Sequence, residues 1–345
     1  MNDLYLIGNG FDLAHGLKTS YNDFLLWYLK ESLQICSAKD LFDDHLITVR
    51  KGDYPRTGVK GYKTIREVLE DKEKGEFSIK YKYDFFEKVV ESYLDYKWVD
   101  IEYEYYMALI EISKKLKTKG ISRSSQVDEE LNDLNKCFKE IKEKLIEYLS
   151  TIEITSDLRN REMQQILGIN DKEILGKKLF VCFNYTHTID KLYLENTFFK
   201  DDINYIHGEL NDNSNPVIFG YGDYMDSEFG YIKELSNGDF LTNIKPVNFV
   251  TDNYQKVMSF ISSGDFIVKI IGHSCGRSDR YLLSSIFEHE NCQRIEIYHY
   301  EKSTSENDYI EKRKEILRHL KNKDINVLVS PFDKYSKMPQ VKKDY

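Results

Sequence analysis

Cysteine is scarce: five in 345 residues, with no C-x-x-C pair. That spacing encodes neither a disulfide framework nor a zinc ribbon, so Cys36, Cys137, Cys182, Cys275 and Cys292 are expected as free, mostly buried thiols. Long apolar runs are missing as well. A spanning helix needs roughly 20 consecutive apolar residues, and the best candidate, Phe266-Ile267-Val268-Lys269-Ile270-Ile271-Gly272, is broken by charge and by glycine. The opening residues Met1-Asn2-Asp3-Leu4 lack the basic and then apolar layout of a signal peptide. The expectation is a cytoplasmic protein with no membrane partner. Basic charge is also short, since 49 Lys and Arg stand against 58 Asp and Glu for a net charge of −9. This argues against sequence-blind attraction to nucleic acid, although a local basic groove stays open. No internal repeat and no low-complexity tract interrupts the chain.

Aromatic residues, by contrast, are plentiful: 26 Tyr and 19 Phe, within an apolar fraction of 41%, supply a sizeable core. The chain opens on Leu4-Tyr5-Leu6-Ile7 followed by Gly8-Asn9-Gly10, which reads as a buried strand turning sharply into a helix. Ser20 and Asp23 form a capping-box pattern before the helical spacing of Tyr21, Phe24, Leu25, Tyr28 and Leu29. Mainly helical text continues to about residue 175. Ile101, Tyr105, Leu109, Ile112 and Leu116 make one stripe, and Val127, Leu131, Leu134, Phe138, Ile141, Leu145 and Tyr148 make a 4-3-4-3-4-3 seam. An internal helical hairpin, a partner helix or a homo-oligomer could cover that seam. Residues 50–83, with several Gly and a Pro, read as an exposed irregular excursion.

Beyond residue 175 the period changes. Apolar runs at 179–183, 203–206, 217–219, 266–271, 295–298 and 325–329 alternate with helical text, which predicts a largely parallel sheet with helices on both faces. Residues 1–24 with 176–345 would form this α/β domain, and 25–175 a large helical insertion after its first βα unit. Four turns follow strands: Gly8 to Asp12, Asn184 to Thr186, His207-Gly208 and Gly272 to Ser274. In an open parallel sheet, ligands lie beyond the carboxyl ends of the strands, so all four would face one crevice. Gly8-Asn9-Gly10-Phe11-Asp12 is laid out to hold a phosphate on backbone N–H groups. It lacks the third glycine of the dehydrogenase fingerprint, since Leu13 stands there. A tight turn without ligand, a half-buried His207 and a Gly272 that only permits close packing are the alternatives.

The segments LYLIGNGFDLAHGLKTSYNDFL, WVDIE at Trp98 to Glu102, FNYT at 183–186, IHG at 206–208 and GHSCGRSD at 272–279 resemble the bacteriophage abortive infection AbiH family. AbiH proteins in turn resemble the sirtuin-like, Rossmann-like NAD-binding fold. Gly8 to Asp12 with Gly16-Leu17 is similar to its first glycine loop, Asn184 to its motif asparagine, His207-Gly208 to its His-Gly, and Pro216 to Gly220 to the strand that follows. A sirtuin deacylase carries a four-cysteine zinc module between that His-Gly and Pro; here only Glu209 to Asn215 intervene, so no metal is expected.

The resemblance therefore implies antiphage defence through NAD binding or hydrolysis, an NAD glycohydrolase rather than a deacylase, activated by an unidentified phage trigger. It implies His207 as base, Asn184 positioning ribose or water, and Asp12 as a polar contact. NAD, or a related nucleotide, would lie on Gly8, Asn9, Gly10, Phe11, Gly272 and Ser274. Glu102 and Asp279 are further candidates, although Asp100 and Glu102 also suit the start of a helix. A nucleotide-binding sensor acting through a protein partner, and a nuclease, are the alternatives.

Overall fold

The computed structural model describes all residues except 53–60, 97–99, 122, 170–175, 201, 224–225, 304–305 and 342–345, and leaves aside the side chains of 94–96 and 227. The chain divides into two compact units, Met1–Lys18 with Ile152–Met225 and Lys245–Tyr345, and Thr19–Thr151 with Asp226–Ile244.

The first unit is built on five strands: β1 (Asn2–Ile7), β2 (Lys178–Cys182), β3 (Ile203–Tyr205), β4 (Phe266–Ile271) and β5 (Cys292–Tyr298). All pair in parallel, in the order β3-β2-β1-β4-β5. Leu4 lies opposite Leu179 on one side and Val268 on the other. The strands carry short apolar runs because both faces of the sheet are covered, although Lys269 interrupts β4 and Glu296 interrupts β5. Leu4, Leu6, Val181, Val268, Ile270 and Ile295 pack on one face with residues of helices Asn253–Ser262, Arg280–Phe287 and Tyr309–His319. Tyr5, Ile7, Phe180, Cys182 and Tyr205 pack on the other with Phe11, Met163, Leu192 and Tyr193. Tyr5 stacks on Phe180 at 4.6 Å between centroids. The chain lays β2 and β3 on one side of β1, then crosses to lay β4 and β5 on the other, so its direction of growth reverses between β1 and β4.

Two expected strands are absent. Residues 217–219 form none: Ile218 N–H donates instead to His207 O at 2.7 Å, which ties the segment to a turn. Residues 325–329 open as a short helix, Ile325–Leu328, because the Asp324 side chain accepts the Asn326 N–H and caps it; only Val329 bridges to β5.

The second unit is mainly helical. Ser20 and Asp23 form the expected capping box of helix Tyr21–Lys39. Helix Ile101–Lys119 is capped by Asp100, whose side chain accepts the Tyr103 N–H at 3.1 Å, and it ends at Gly120. It packs on helix Ser125–Ser150 as an internal hairpin, with Tyr105 stacked on Phe138 at 4.0 Å and its hydroxyl donating to Asn135 at 2.7 Å. All seven seam residues from Val127 to Tyr148 are buried within the chain. Residues 53–60 of the expected excursion at 50–83 lie outside the described residues; the rest is more regular than expected. Leu41–Asp43, Ile47–Lys51 and Phe77–Tyr81 make a three-stranded antiparallel sheet, and Ile65–Glu73 is a helix. Alternate burial of Ile47, Val49, Phe77 and Ile79 gives that sheet its inner face.

The division differs from the expected one. Leu158, Met163 and Leu167, placed by sequence in the insertion, pack in the α/β core. Asp226–Ile244 joins the helical unit, where the Asn135 side chain donates to Asp239 O and the Asn243 side chain to the Tyr105 hydroxyl. All five cysteines are free and buried. Among the described residues, no helix is long and apolar enough to cross a membrane.

Candidate functional site

The turns that end β1 and β4 lie directly on one another. Gly8 N–H donates to Ile271 O at 3.2 Å, and Gly10 N–H to Gly272 O at 2.9 Å. A Cβ on Gly8 would sit 2.5 Å from His273 Cα, and one on Gly10 2.7 Å from Gly272 O. Gly272 has φ +72°, and a Cβ there would meet Phe11 N at 2.1 Å. Only glycine permits this approach. The arrangement also commits the amides that sequence reading gave to a phosphate: Gly8 and Gly10 donate across to β4 and its turn, and Phe11 N–H donates to Gly8 O at 2.8 Å. Asn9 and Ser274 are the exposed residues of the two interlocked turns.

A first polar cluster joins β1 to β2. Asn184 Nδ2 donates to Gly8 O at 3.2 Å and to Asp12 Oδ1 at 3.0 Å, while Thr186 Oγ1 donates to Asp12 Oδ2. Thr188 Oγ1 in turn donates to Thr186 Oγ1 at 3.2 Å. Asp12 is 1% exposed. Burial pushes its carboxyl up to about 6, against the opposing pull of the Thr186, Thr188 and Asn184 donors.

A second cluster surrounds Asp279, at the entrance to helix Arg280–Phe287. Lys245 Nζ donates to Asp279 Oδ1 at 3.0 Å, and both side chains are buried. His207 Nε2 also lies 3.0 Å from Oδ1, an ion-pair distance without the alignment of a hydrogen bond. His273 Nδ1 accepts the Cys275 N–H at 3.0 Å, which leaves the proton on Nε2, 3.5 Å from Asp279 Oδ2. The Phe183 ring lies against both imidazoles, 4.0 Å from His273 and edge-on to His207 at 5.2 Å.

The charges follow from these contacts. Burial alone would raise Asp279, but Lys245 and His207 beside it outweigh that and hold its carboxyl well below the usual range. Burial pulls His207 down to about 4, helped by the Lys245 charge and opposed by Asp279. His273 is lowered by burial too. At neutral pH the cluster is thus a fixed carboxylate facing two neutral imidazoles. The Lys245 ammonium takes the place against Asp279 that a bound cation would take. Among the described residues, no group of three His, Cys, Asp or Glu is set to hold a metal ion.

The α/β unit therefore gathers Gly8 to Asp12, Asn184, His207, Gly272 to Ser274 and Asp279 beyond the carboxyl ends of its strands. Glu102 belongs to the helical unit, buried in the first turn of helix Ile101–Lys119, and Trp98 and Val99 of its motif lie outside the described residues. Sequence reading missed Lys245, one of 49 basic residues in a segment with no motif, and gave His273 no role. The one available signal was His273 inside the Gly-His-Ser turn.

No curated protein matches the chain. The model of the family described as bacteriophage abortive infection AbiH matches residues 4–301, which takes in both polar clusters and most of the two units, and the chain belongs to that family.

Proposed function

We propose that this protein serves abortive infection by cleaving NAD, or a closely related nucleotide, at the bond between nicotinamide and ribose. The family supports the defence role. The strand order β3-β2-β1-β4-β5 is that of doubly wound, Rossmann-like nucleotide-binding sheets, in which ligands sit where the order reverses. In this reading the nucleotide lies over the β1 and β4 turns, its phosphates near the exposed Asn9 and Ser274. Asn184, its amide spent on Gly8 and Asp12, sets the position of the turn beneath the ribose.

The observation that carries the proposal is the buried pairing of neutral His207 with ionised Asp279 at the carboxyl edge of the sheet. Breaking the glycosidic bond releases neutral nicotinamide and leaves an oxocarbenium-like ribose, to which water adds. The water proton passes to His207, and Asp279 stabilises the imidazolium until the proton returns to solvent. A weak base serves here because the bond breaks largely before the water must lose its proton. The products are ADP-ribose, nicotinamide and one proton.

The low proton affinity of His207 also favours a second reading, a nucleotide sensor without turnover. Chromatography of NAD, ADP-ribose and nicotinamide separates the two, using purified protein and infected cells with and without His207→Ala. Loss of NAD with matching products, abolished in the variant, supports hydrolysis. Defence at constant NAD overturns it and leaves the sensor.

A further inference from the structure

The turn that carries His273 is not held by the sheet alone. Helix Tyr309–His319 lies beyond the residues that the family model matches, yet two of its side chains reach this turn. Lys312 Nζ donates to His273 O at 2.8 Å, with Asp308 as its counter-ion at 3.3 Å. His319 Nε2 donates to Cys275 O at 2.8 Å. Lys312 and His319 are both buried. Arg280, next to Asp279, donates through Nε to Arg318 O at 3.2 Å and so ties the same helix to the far end of the turn.

Between the two held carbonyls, Cys275 sits at φ +57°, a left-handed conformation. A non-glycine residue keeps such a conformation only when its surroundings over-determine it. In the turn held in this way the Cys275 N–H donates to His273 Nδ1, and this bond selects the imidazole tautomer whose Nε2–H faces Asp279.

We infer that Lys312 and His319 are positioning residues of the proposed site: by gripping the carbonyls of His273 and Cys275 they hold the left-handed turn and so fix the His273 tautomer that meets Asp279. With His273 on Oδ2, Asp279 keeps Oδ1 for Lys245 and His207. The catalytic part of this inference rests on the NAD-cleavage reading; the tautomer part does not.

The test is a two-bond proton–nitrogen spectrum of the full chain at neutral pH, labelled with nitrogen-15 histidine. It shows which ring nitrogen of each of the eight histidines carries the proton, and His273→Asn assigns the relevant signal. The parent protein should show His273 only as the Nε2–H form. Lys312→Met and His319→Leu should each convert it to a mixture of tautomers. His319→Gln, which restores a donor at similar reach, should return it to the single form. For NAD cleavage, Lys312→Met should lower kcat on the order of a hundredfold while KM stays near its original value, as expected for misplacement rather than lost binding.

Folded Lys312→Met and His319→Leu proteins that keep the single Nε2–H signal would overturn the inference. If Lys312→Met does not fold, the His319→Leu and His319→Gln pair decides by the same signal. A parent protein that cleaves no NAD, but whose His273 tautomer still responds to these substitutions, removes the hydrolase reading and supports the positioning role.

Discussion

Two buried carboxylates of one unit titrate in opposite directions. Asp12 and Asp279 are exposed by only 1% and 6%. Asp12 is met by an amide and hydroxyls and is pushed up to about 6; Asp279 is met by an ammonium and two imidazoles and is held well below the usual range. Around Asp12 the neutral donors offset only part of the effect of burial, whereas around Asp279 the Lys245 charge and the neighbouring imidazoles outweigh it. One cluster is therefore sensitive to proton concentration near neutrality, and the other is a permanent charge.

The sharpest way to break this contrast is to remove the permanent charge. Asp279→Asn leaves the Lys245 ammonium buried without its carboxylate, and should cost about 3–5 kcal/mol by urea unfolding. Asp12→Asn, which disturbs neutral donors only, should cost about 1–3 kcal/mol. Pairing Asp279→Leu with Lys245→Met should recover much of the first loss, because both charges then leave together. A smaller loss for Asp279→Asn than for Asp12→Asn would reverse the ranking and with it the account of the two clusters.

The pH dependence of stability separates the clusters next. Asp12 binds its proton more tightly folded than unfolded, so its contribution is greatest below its ordinary value of 3.8 and falls as the pH rises to about 6. That change amounts to about 3 kcal/mol. His207 behaves oppositely. Lowered from 6.5 to about 4, it contributes nothing below about pH 4 and stabilises increasingly up to pH 6.5, by about 3 kcal/mol. The two slopes oppose each other in the parent protein. Asp12→Asn should steepen the loss of stability on acidification, and His207→Gln should flatten it. Equal slopes in the two variants would show that neither group is shifted as described.

A third effect concerns the turns that bring the clusters together. Gly272→Ala should destabilise by about 1–3 kcal/mol for its left-handed backbone alone, with more for a Cβ only 2.1 Å from Phe11 N. A thermal melt of the variant within a degree of the parent's would mean that the two turns can separate freely.

Much of this framework could be read in the sequence, for physical reasons that also explain what could not. The strands β1 to β5 stand where short apolar runs stand, because a sheet covered on both faces needs apolar residues pointing to either side. The same rule misled at 217–219 and 325–329, where a run of three to five apolar residues fits a buried turn or a helix as well as a strand. Capping at Ser20 and Asp100 was legible because a cap is a local interaction. Lys245 was not, because its meaning comes from Asp279, 34 residues away. The amides of Gly8 and Gly10 were misjudged for a related reason. A glycine turn advertises room for a phosphate or for another turn, and only the register of β1 on β4 shows that another turn fills it.

The finest test of the contrast is Thr186→Val, which keeps the volume of the side chain and removes one hydroxyl from Asp12. Thr186 is the strongest of the donors lowering that carboxyl. Without it the Asp12 titration should move further up, and a carbon-13 carboxyl titration reads that shift directly. The cost to stability should be about 1–2 kcal/mol at neutral pH, where the ionised carboxylate needs the donor. Near pH 4 it should shrink, because the folded state there holds the neutral acid. An equal cost at both pH values would mean that Thr186 acts through packing, and that neutral donors do not set the proton affinity of Asp12. Unequal costs would show that a neutral hydroxyl sets the proton affinity of the switchable carboxyl beside β1, the counterpart of the Lys245 charge beside Asp279.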